Sequence, residues 1–446
     1  GTAGSAGSTG ASSPAQEELP EGVSFTEVGD GLRVITEAMP SVRSVALGLW
    51  VRTGSRDESP EQAGVSHFLE HLLFKGTERH SAIEISELFD GMGAATNAAT
   101  SKESTHLHAR LLDEHTEEAF ALLAEMLTDP SLPVDEVDSE REVVLEEIAM
   151  YEDEPQDRVH DVLAEAIHGD HPLGRRVLGE SGVIGSIPVP EISAYHRERY
   201  TAPNVVVAAA GHLDHAEIIE LARRFVAMPT GEPAARPNGA SEGAPRFAFQ
   251  AKDTEQYHIC FGGPGIARGD ERRFALSVLD AVFGGSTSSR LFREVREKRG
   301  LAYAVGSYTE QYIERGVVAM YVGTREENVG EACEIIGTEL VNLRDHGVST
   351  EELDRAKEHV KGRMVLGLEA TGMRMTRLAR AILFDVPLLS LDELLMRVEQ
   401  VSAEEVAELA AELYDPERLS AACIGPHEER FREATALVSQ ALGTAA

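Results

Sequence analysis

Cysteine is scarce: the 446 residues include three, Cys260, Cys333 and Cys423, far apart and without a C-x-x-C spacing. That is too few for a disulfide framework and points to a reducing compartment, with the cytoplasm as the expected location. Basic residues are in deficit, 41 against 76 acidic ones, for a net charge of −35. Nucleic acid demands a basic face, so it is excluded as a partner. The same charge repels anionic surfaces and attracts cationic peptides over long range, giving an expected preference for basic peptides. No apolar run approaches the ~18 residues of a membrane span, so no membrane association is expected. The densest apolar run, VALGLWV (45–51), reads as a buried strand. No secretory signal is recognisable, although a first residue of Gly1 rather than Met leaves a removed leader open. The pair Gly284-Gly285 is followed by no G-K-[ST], so no phosphate loop is present.

What remains is a 48.2 kDa chain with 42% hydrophobic residues, enough for two or three packed domains. Residues 1–18 are rich in Gly, Ser and Ala without periodicity and read as a flexible tail. Strand and helix patterns fill 20–227, a Pro/Gly-rich linker spans 228–245, and a second block runs over 246–442. The blocks resemble degenerate copies of each other. LLFKGT (72–77) aligns with AVFGGS (281–286), and VDEVDSEREVVLEE (134–147) with TEELDRAKEHVKGR (350–363). On that alignment His67 faces Leu276, Glu70 faces Leu279, His71 faces Asp280 and Glu147 faces Arg363.

Those first-block residues carry the chemistry. His67 and His71 stand four apart in GVSHFLEHLLFKGT (64–77), with Glu70 between them. On a helix all three point into one arc of roughly 100°. Imidazole nitrogens bind Zn²⁺, a catalytic site keeps one position for water, and a nearby carboxylate can take that water's proton. The order H-x-x-E-H reverses the commoner H-E-x-x-H and is the inverzincin pattern. A further ligand is expected from the helical stretch 134–150, where Val137, Val144 and Ile148 form an apolar stripe. Glu140 and Glu147, two turns apart, share the inward face, and a buried carboxylate needs a partner. Glu142 and Glu146 suit a solvated face.

With these residues the chain resembles the pitrilysin-type zinc peptidases, in the short-chain branch that includes the β subunit of mitochondrial processing peptidase and its bacterial relatives. The resemblance covers about residues 20–440. It implies Zn²⁺ held by His67, His71 and Glu147, with Glu70 as general base and Glu140 supporting the site from behind. NAATSKEST (97–105) is similar to the family segment whose edge strand pairs with substrate, which makes Asn97, Ala98 and Ala99 expected substrate-binding positions. The family's aromatic residues after that segment are replaced here by His106, Leu107 and His108. GGSTSSRLFREVREKRGLAYAVGS (284–307) resembles the segment whose arginine and tyrosine reach into the active site, here Arg296 and Tyr303. Donors aimed at a developing oxyanion can contribute several kcal/mol.

The implied fold is α+β, two tandem homologous domains, each an antiparallel sheet with helices packed mainly on one face. The implied activity is endopeptidase hydrolysis of peptides or presequence-like extended segments in a chamber closed by two halves. Because this chain supplies one half, a homodimer is the simplest completion, with Arg296 and Tyr303 expected from the partner chain, and a heterodimer with an inactive homologue is the alternative. A non-catalytic core subunit or a peptide-binding scavenger of the same fold is the alternative function. His168 and His171 in HGDHPLGR could form a second metal site, but a loop, like the family's HPLG turn, is expected; His258 is expected to be a core or sheet-face residue.

Overall fold

Two sheets of matching topology organise the computed structural model, which describes residues 19–231, 236, 244–440 and 442. The expected tail and most of the expected linker lie outside the described residues. The first sheet contains β1 (Val23–Val28), β2 (Leu32–Ala38), β3 (Ser44–Val51), β4 (Ala95–Thr100), β5 (Thr105–Leu112) and β6 (Val205–Gly211), in the order β1-β2-β6-β3-β5-β4. The second contains β7 (Phe247–Ala251), β8 (Tyr257–Gly265), β9 (Ala302–Gln311), β10 (Gly316–Thr324) and β11 (Ser420–Gly425), in the order β7-β11-β8-β10-β9. Without β1 the two orders superimpose strand for strand, so the internal repeat seen in the sequence is also a repeat of topology. The fold is α+β, as expected. Each sheet is antiparallel apart from one pair, β2 with β6 and β7 with β11. Those pairs are parallel because the last strand of each half returns to the middle of the sheet after a long helical crossover.

Helices crowd one face of each sheet, and the other face is also covered. In β3, Val45, Leu47, Leu49 and Val51 join a core that includes Phe68, Leu107 and Val207, whereas Ala46 and Trp50 face the opposite way into a second cluster. Burial on both faces explains why this strand reads as an unbroken apolar run. The second cluster is closed by the helix Thr371–Leu383 from the other half, whose Met375, Leu378 and Ile382 pack on Ile35, Trp50 and Val206. Trp50 Nε1 lies 3.3 Å from Met375 Sδ. In return, the helix Pro155–His168 from the first half covers the second sheet, with Val159, Val162 and Leu163 against Cys260, Ala319 and Ala422. Each half therefore gives the other the corresponding helix of the repeat.

Buried charge joins the halves at the same seam. Arg56, 1% exposed, binds Glu103 at 2.6 Å and also pairs with Glu314 from the β9–β10 turn. Arg268 reaches Glu103 at 3.0 Å. Such pairs add little net stability over apolar packing, but breaking one leaves a buried charge uncompensated, so they fix how the halves meet.

Because each sheet is finished by the other half's helix, heat should unfold the chain in one cooperative calorimetric transition. Leu378→Ala, at a fully buried position, should cost about 2–5 kcal/mol. Urea unfolding followed by Trp50, the single tryptophan, measures it. Two well-separated transitions would show that the halves fold independently.

Candidate metal centre

His67, Glu70 and His71 sit on a helix of only eight residues, Val65–Leu72, too short to hold itself. Its apolar side, Val65, Phe68, Leu69 and Leu72, is buried in the first core. Its first turn is fixed by Glu58, whose two carboxylate oxygens accept from the backbone N–H groups of Gly64 and Ser66, both at 2.8 Å. The Ser66 hydroxyl meets the Tyr195 hydroxyl at 2.7 Å. Gly64 has φ +96°, and a Cβ there would meet the Leu178 carbonyl oxygen at 2.7 Å, so only glycine fits the turn that starts this helix.

The second helix, Val134–Glu152, buries Val137, Val144 and Ile148 as its stripe predicts, and packs against the first. It brings Glu147 to the two histidines. His67 Nε2 and His71 Nε2 are 3.2 Å apart, and Glu147 Oε2 is 3.6 Å from the former and 3.4 Å from the latter. Bonds of about 2.0–2.2 Å at tetrahedral angles put zinc ligands roughly 3.3–3.5 Å apart, so this triangle fits the ion. Among the described residues these three form the one group of histidine, cysteine and carboxylate side chains placed to share a metal.

Neighbouring groups set the histidines' state. Glu140 Oε1 lies 2.8 Å from His71 Nδ1, which turns Nε2 toward the triangle, and Glu140 Oε2 is held 2.6 Å from Lys75 Nζ. A carboxylate behind a ligating histidine fixes the tautomer and raises ligand basicity. Burial, aided by the charge of His71, drives the pKa of His67 down to about 4, leaving its ring neutral as a ligand must be. Burial raises the pKa of the Glu70 carboxyl and the charge of Glu147 adds to this, while hydrogen bonds from Thr100 and the charge of His71 pull it back. Glu70 Oε2 is buried without a hydrogen-bond partner, one acceptor held ready beside the triangle.

Asn97, Ala98 and Ala99 lie on β4, the outermost strand, paired with β5 on one side only. Asn97 and Ala99 are exposed and Ala98 is buried. Arg296 and Tyr303 are brought together, the guanidinium 4.7 Å from the centre of the Tyr303 ring. Arg296 lies in the helical turn Phe292–Glu297 and Tyr303 at the start of β9, both in the second half, and Tyr303 is 79% exposed.

Residues 33–181 match the profile of insulinase (peptidase family M16), and residues 186–360 match the M16 inactive domain. An uncharacterized zinc protease of Streptomyces coelicolor is 41% identical over 91% of this chain and 90% of that protein. The chain belongs to peptidase family M16. The uncharacterized zinc protease YmxG of Bacillus subtilis, 40% identical over 86% of this chain and 94% of its own length, is another relative of this M16 protein. Its fold matches a crystal structure described as a peptidase M16 inactive domain from Pseudomonas fluorescens, with TM-score 0.84 at 23% identity over 91% of this chain and 98% of that one. A protease from Helicobacter pylori gives the same score at 22% identity, over 92% and 100% of the two chains.

In the second M16 half the ligand positions hold other groups. Leu276 and Leu279 are core residues, and Asp280 accepts from the Ser307 hydroxyl at 2.6 Å. Burial raises the pKa of Asp280, and the charge of Arg363, opposite Glu147 in the repeat, pulls it back. His168, expected in a loop, instead ends the helix Pro155–His168, while His171 and His258 behave as expected. His171 begins the Pro172–Gly174 turn, where Nδ1 accepts from Leu173 N, and His258 meets the Tyr321 hydroxyl at 2.9 Å within the sheet. His106 stacks on Trp50 with 3.7 Å between ring centres, and both line a cavity that reaches the end of β4.

Glu58 is the residue that sequence reasoning missed. It lies in a polar stretch, DESPEQ, with no periodicity to mark it as buried; its spacing ahead of the Gly64 turn was the available signal. Burial pushes its pKa up to about 8 despite both backbone donors. An acid raised this way keeps its proton in the fold where the unfolded chain has lost it. It therefore subtracts stability as pH rises from about 4.5 towards 8. Glu58→Gln should flatten that slope, at most about 1.4 kcal/mol per pH unit. At pH 5 it should cost about 1–3 kcal/mol through one lost acceptor. Denaturant titrations at pH 5, 6.5 and 8 would test this, and an unchanged slope would sink it.

Proposed function

We propose that this M16 chain is a zinc-dependent endopeptidase whose Zn²⁺ is held by His67, His71 and Glu147. The observation that carries the proposal is the ligand triangle with the unpartnered Glu70 oxygen beside it. Bound there, the ion supplies Lewis acidity to the scissile carbonyl and lowers the pKa of water to about 7. Glu70 takes the proton of the attacking water and returns it to the leaving amine nitrogen. Glu140 keeps His71 oriented throughout. An extended peptide adds to the open edge of β4 near Asn97, Ala98 and Ala99 through backbone hydrogen bonds, a mode tolerant of sequence. Tyr303 and Arg296 donate to the carbonyl oxygen and to nearby substrate.

The second chain follows from what is left uncovered. Glu147 shares one face of its helix with Val143 and Met150, which are 50% and 70% exposed. That apolar rim beside the ligands, with the outlying Tyr303, favours a homodimer in which each site is completed by the partner's second half. A heterodimer with an inactive homologue remains the alternative assembly. On this proposal 20–227 and 246–442 are the two domains and 228–245 is their linker. Three buried, unpaired cysteines favour the cytoplasm, and no described helix is long and apolar enough to cross a membrane. A non-catalytic core or peptide-binding subunit would have no use for Glu70 in this place.

Glu70→Gln should keep zinc at wild-type stoichiometry and lose cleavage of a quenched-fluorescence peptide library by roughly 10²–10⁴-fold. Equal turnover by both proteins would refute the role of Glu70. For the assembly, Glu70→Gln and Tyr303→Phe chains are co-expressed. If sites form across chains, the mixture regains cleavage that neither variant shows alone; if each chain completes its own site, it stays inactive.

A further inference from the structure

The second half carries a cavity of about 400 Å³ where Arg363 stands in the place of Glu147. Arg268, Arg273, Arg363, Arg377 and Arg380 line it, and no aspartate or glutamate does. In a chain with 76 acidic and 41 basic residues, this is a local reversal of sign. Acids outside the wall answer two of these arginines: Arg268 meets Glu103 at 3.0 Å and Arg273 meets Glu271 at 3.5 Å. Arg377 donates to the Leu389 carbonyl oxygen. Among the described residues, Arg363, Arg377 and Arg380 have no salt-bridging carboxylate. Two buried nitrogens of Arg268, Nε and Nη1, have no hydrogen-bond partner. Its pKa falls to about 10, chiefly by burial, with Glu103 opposing and Arg380 and Arg236 adding repulsion. The charges of Glu37, Glu103 and Asp280 act on Arg377, Arg380 and Arg363 from beyond salt-bridge distance. Five cations gathered with so few direct carboxylate partners are a surface prepared for an anion.

The rest of the wall narrows the class of anion. Met364, Leu368, Met373, Leu388 and Leu389 give it apolar sides that suit aliphatic stems carrying charged ends. Arg268, Gln311, Thr376 and Arg380 also line a neighbouring cavity of about 530 Å³, which reaches Ala99, Thr100 and Ser101 at the end of β4. A chain lying on the β4 edge thus leads towards the arginines.

We propose that this cavity is a subsite for an acidic segment of an extended peptide, its aspartate or glutamate carboxylates held by Arg363, Arg377 and Arg380. Its use during cleavage rests on the peptidase reading above; the binding does not. The preference for basic peptides expected from net charge gives way here, because long-range attraction is screened beyond ~8 Å at physiological salt whereas these arginines act in contact.

Binding of a fluorescein-labelled hexaglutamate peptide is measured by anisotropy on the full chain carrying Glu70→Gln, with and without Arg363→Gln and Arg380→Gln. The two arginine substitutions should weaken binding by roughly tenfold or more. Wild-type cleavage of an uncharged peptide should be unchanged by the same pair. Equal hexaglutamate binding by both proteins, or equally tight hexalysine binding by the parent, would overturn the proposal. Displacement of the peptide by inorganic phosphate at lower concentration than by free hexaglutamate would also overturn it, reassigning the cavity to phosphate groups. If the double variant fails to fold, Arg380→Gln alone carries the test, since that side chain makes no salt bridge among the described residues and feels only the more distant charge of Glu103. Absence of any cleavage by the wild type would count against the peptidase reading and leave the anisotropy result standing.

Discussion

The carboxyl group of Glu58, buried against the first turn of the helix Val65–Leu72, is the contact on which the site depends. Eight residues must present two imidazoles and a carboxylate in register, and a helix that short has almost no stability of its own. Its amide groups point into a dry interior, where an unmet donor costs about 1–3 kcal/mol. One side chain meets two of them, Gly64 makes room for the turn, and the apolar face of the helix does the rest. Glu140 plays the matching part at the other end by fixing His71. The ligands are therefore positioned by groups that would never touch substrate.

The same economy governs how the halves are joined. Apolar cover is exchanged through two helices that correspond in the repeat, and charge is concentrated in the network around Arg56, Glu103 and Glu314. The Ser-Lys-Glu-Ser turn after β4 serves this seam: Glu103 binds Arg56, and Lys102 Nζ donates to the carbonyl oxygens of Leu173 and Arg175. Residues next to β4 thus also hold the interface, which ties the shape of that sheet edge to the packing of the two sheets.

Much of the site was legible from residue order. Helical spacing put His67, Glu70 and His71 on one face, and the apolar stripe of 134–150 showed that Glu140 looks inward; Glu147, expected on the same face, instead sits half-exposed at its rim, its side chain 44% accessible. The alternation within 45–51 was hidden because both faces of β3 are covered, so nothing polar marks the period. Helix exchange was equally hidden: Val159 and Leu163 advertise an apolar face but carry no sign of which sheet they will meet. The arginine cavity draws on residues 268–273, 363 and 377–380, three stretches that each read as ordinary charged surface. Chemistry fixed within one helix can be read locally, whereas chemistry assembled across the fold cannot.

The exchanged helices also set an order of events for a chain made from its N-terminus. All six strands of the first sheet are complete by Gly211, yet the helix that covers Ile35, Ala46, Trp50, Val206 and Ala208 ends at Leu383. Until that helix has emerged from the ribosome, the first sheet waits with one oily face bare. Nascent chains in that state are prone to clump or pair wrongly, so the young protein has a long interval in which a chaperone, or a neighbouring copy's helix, could occupy the vacancy.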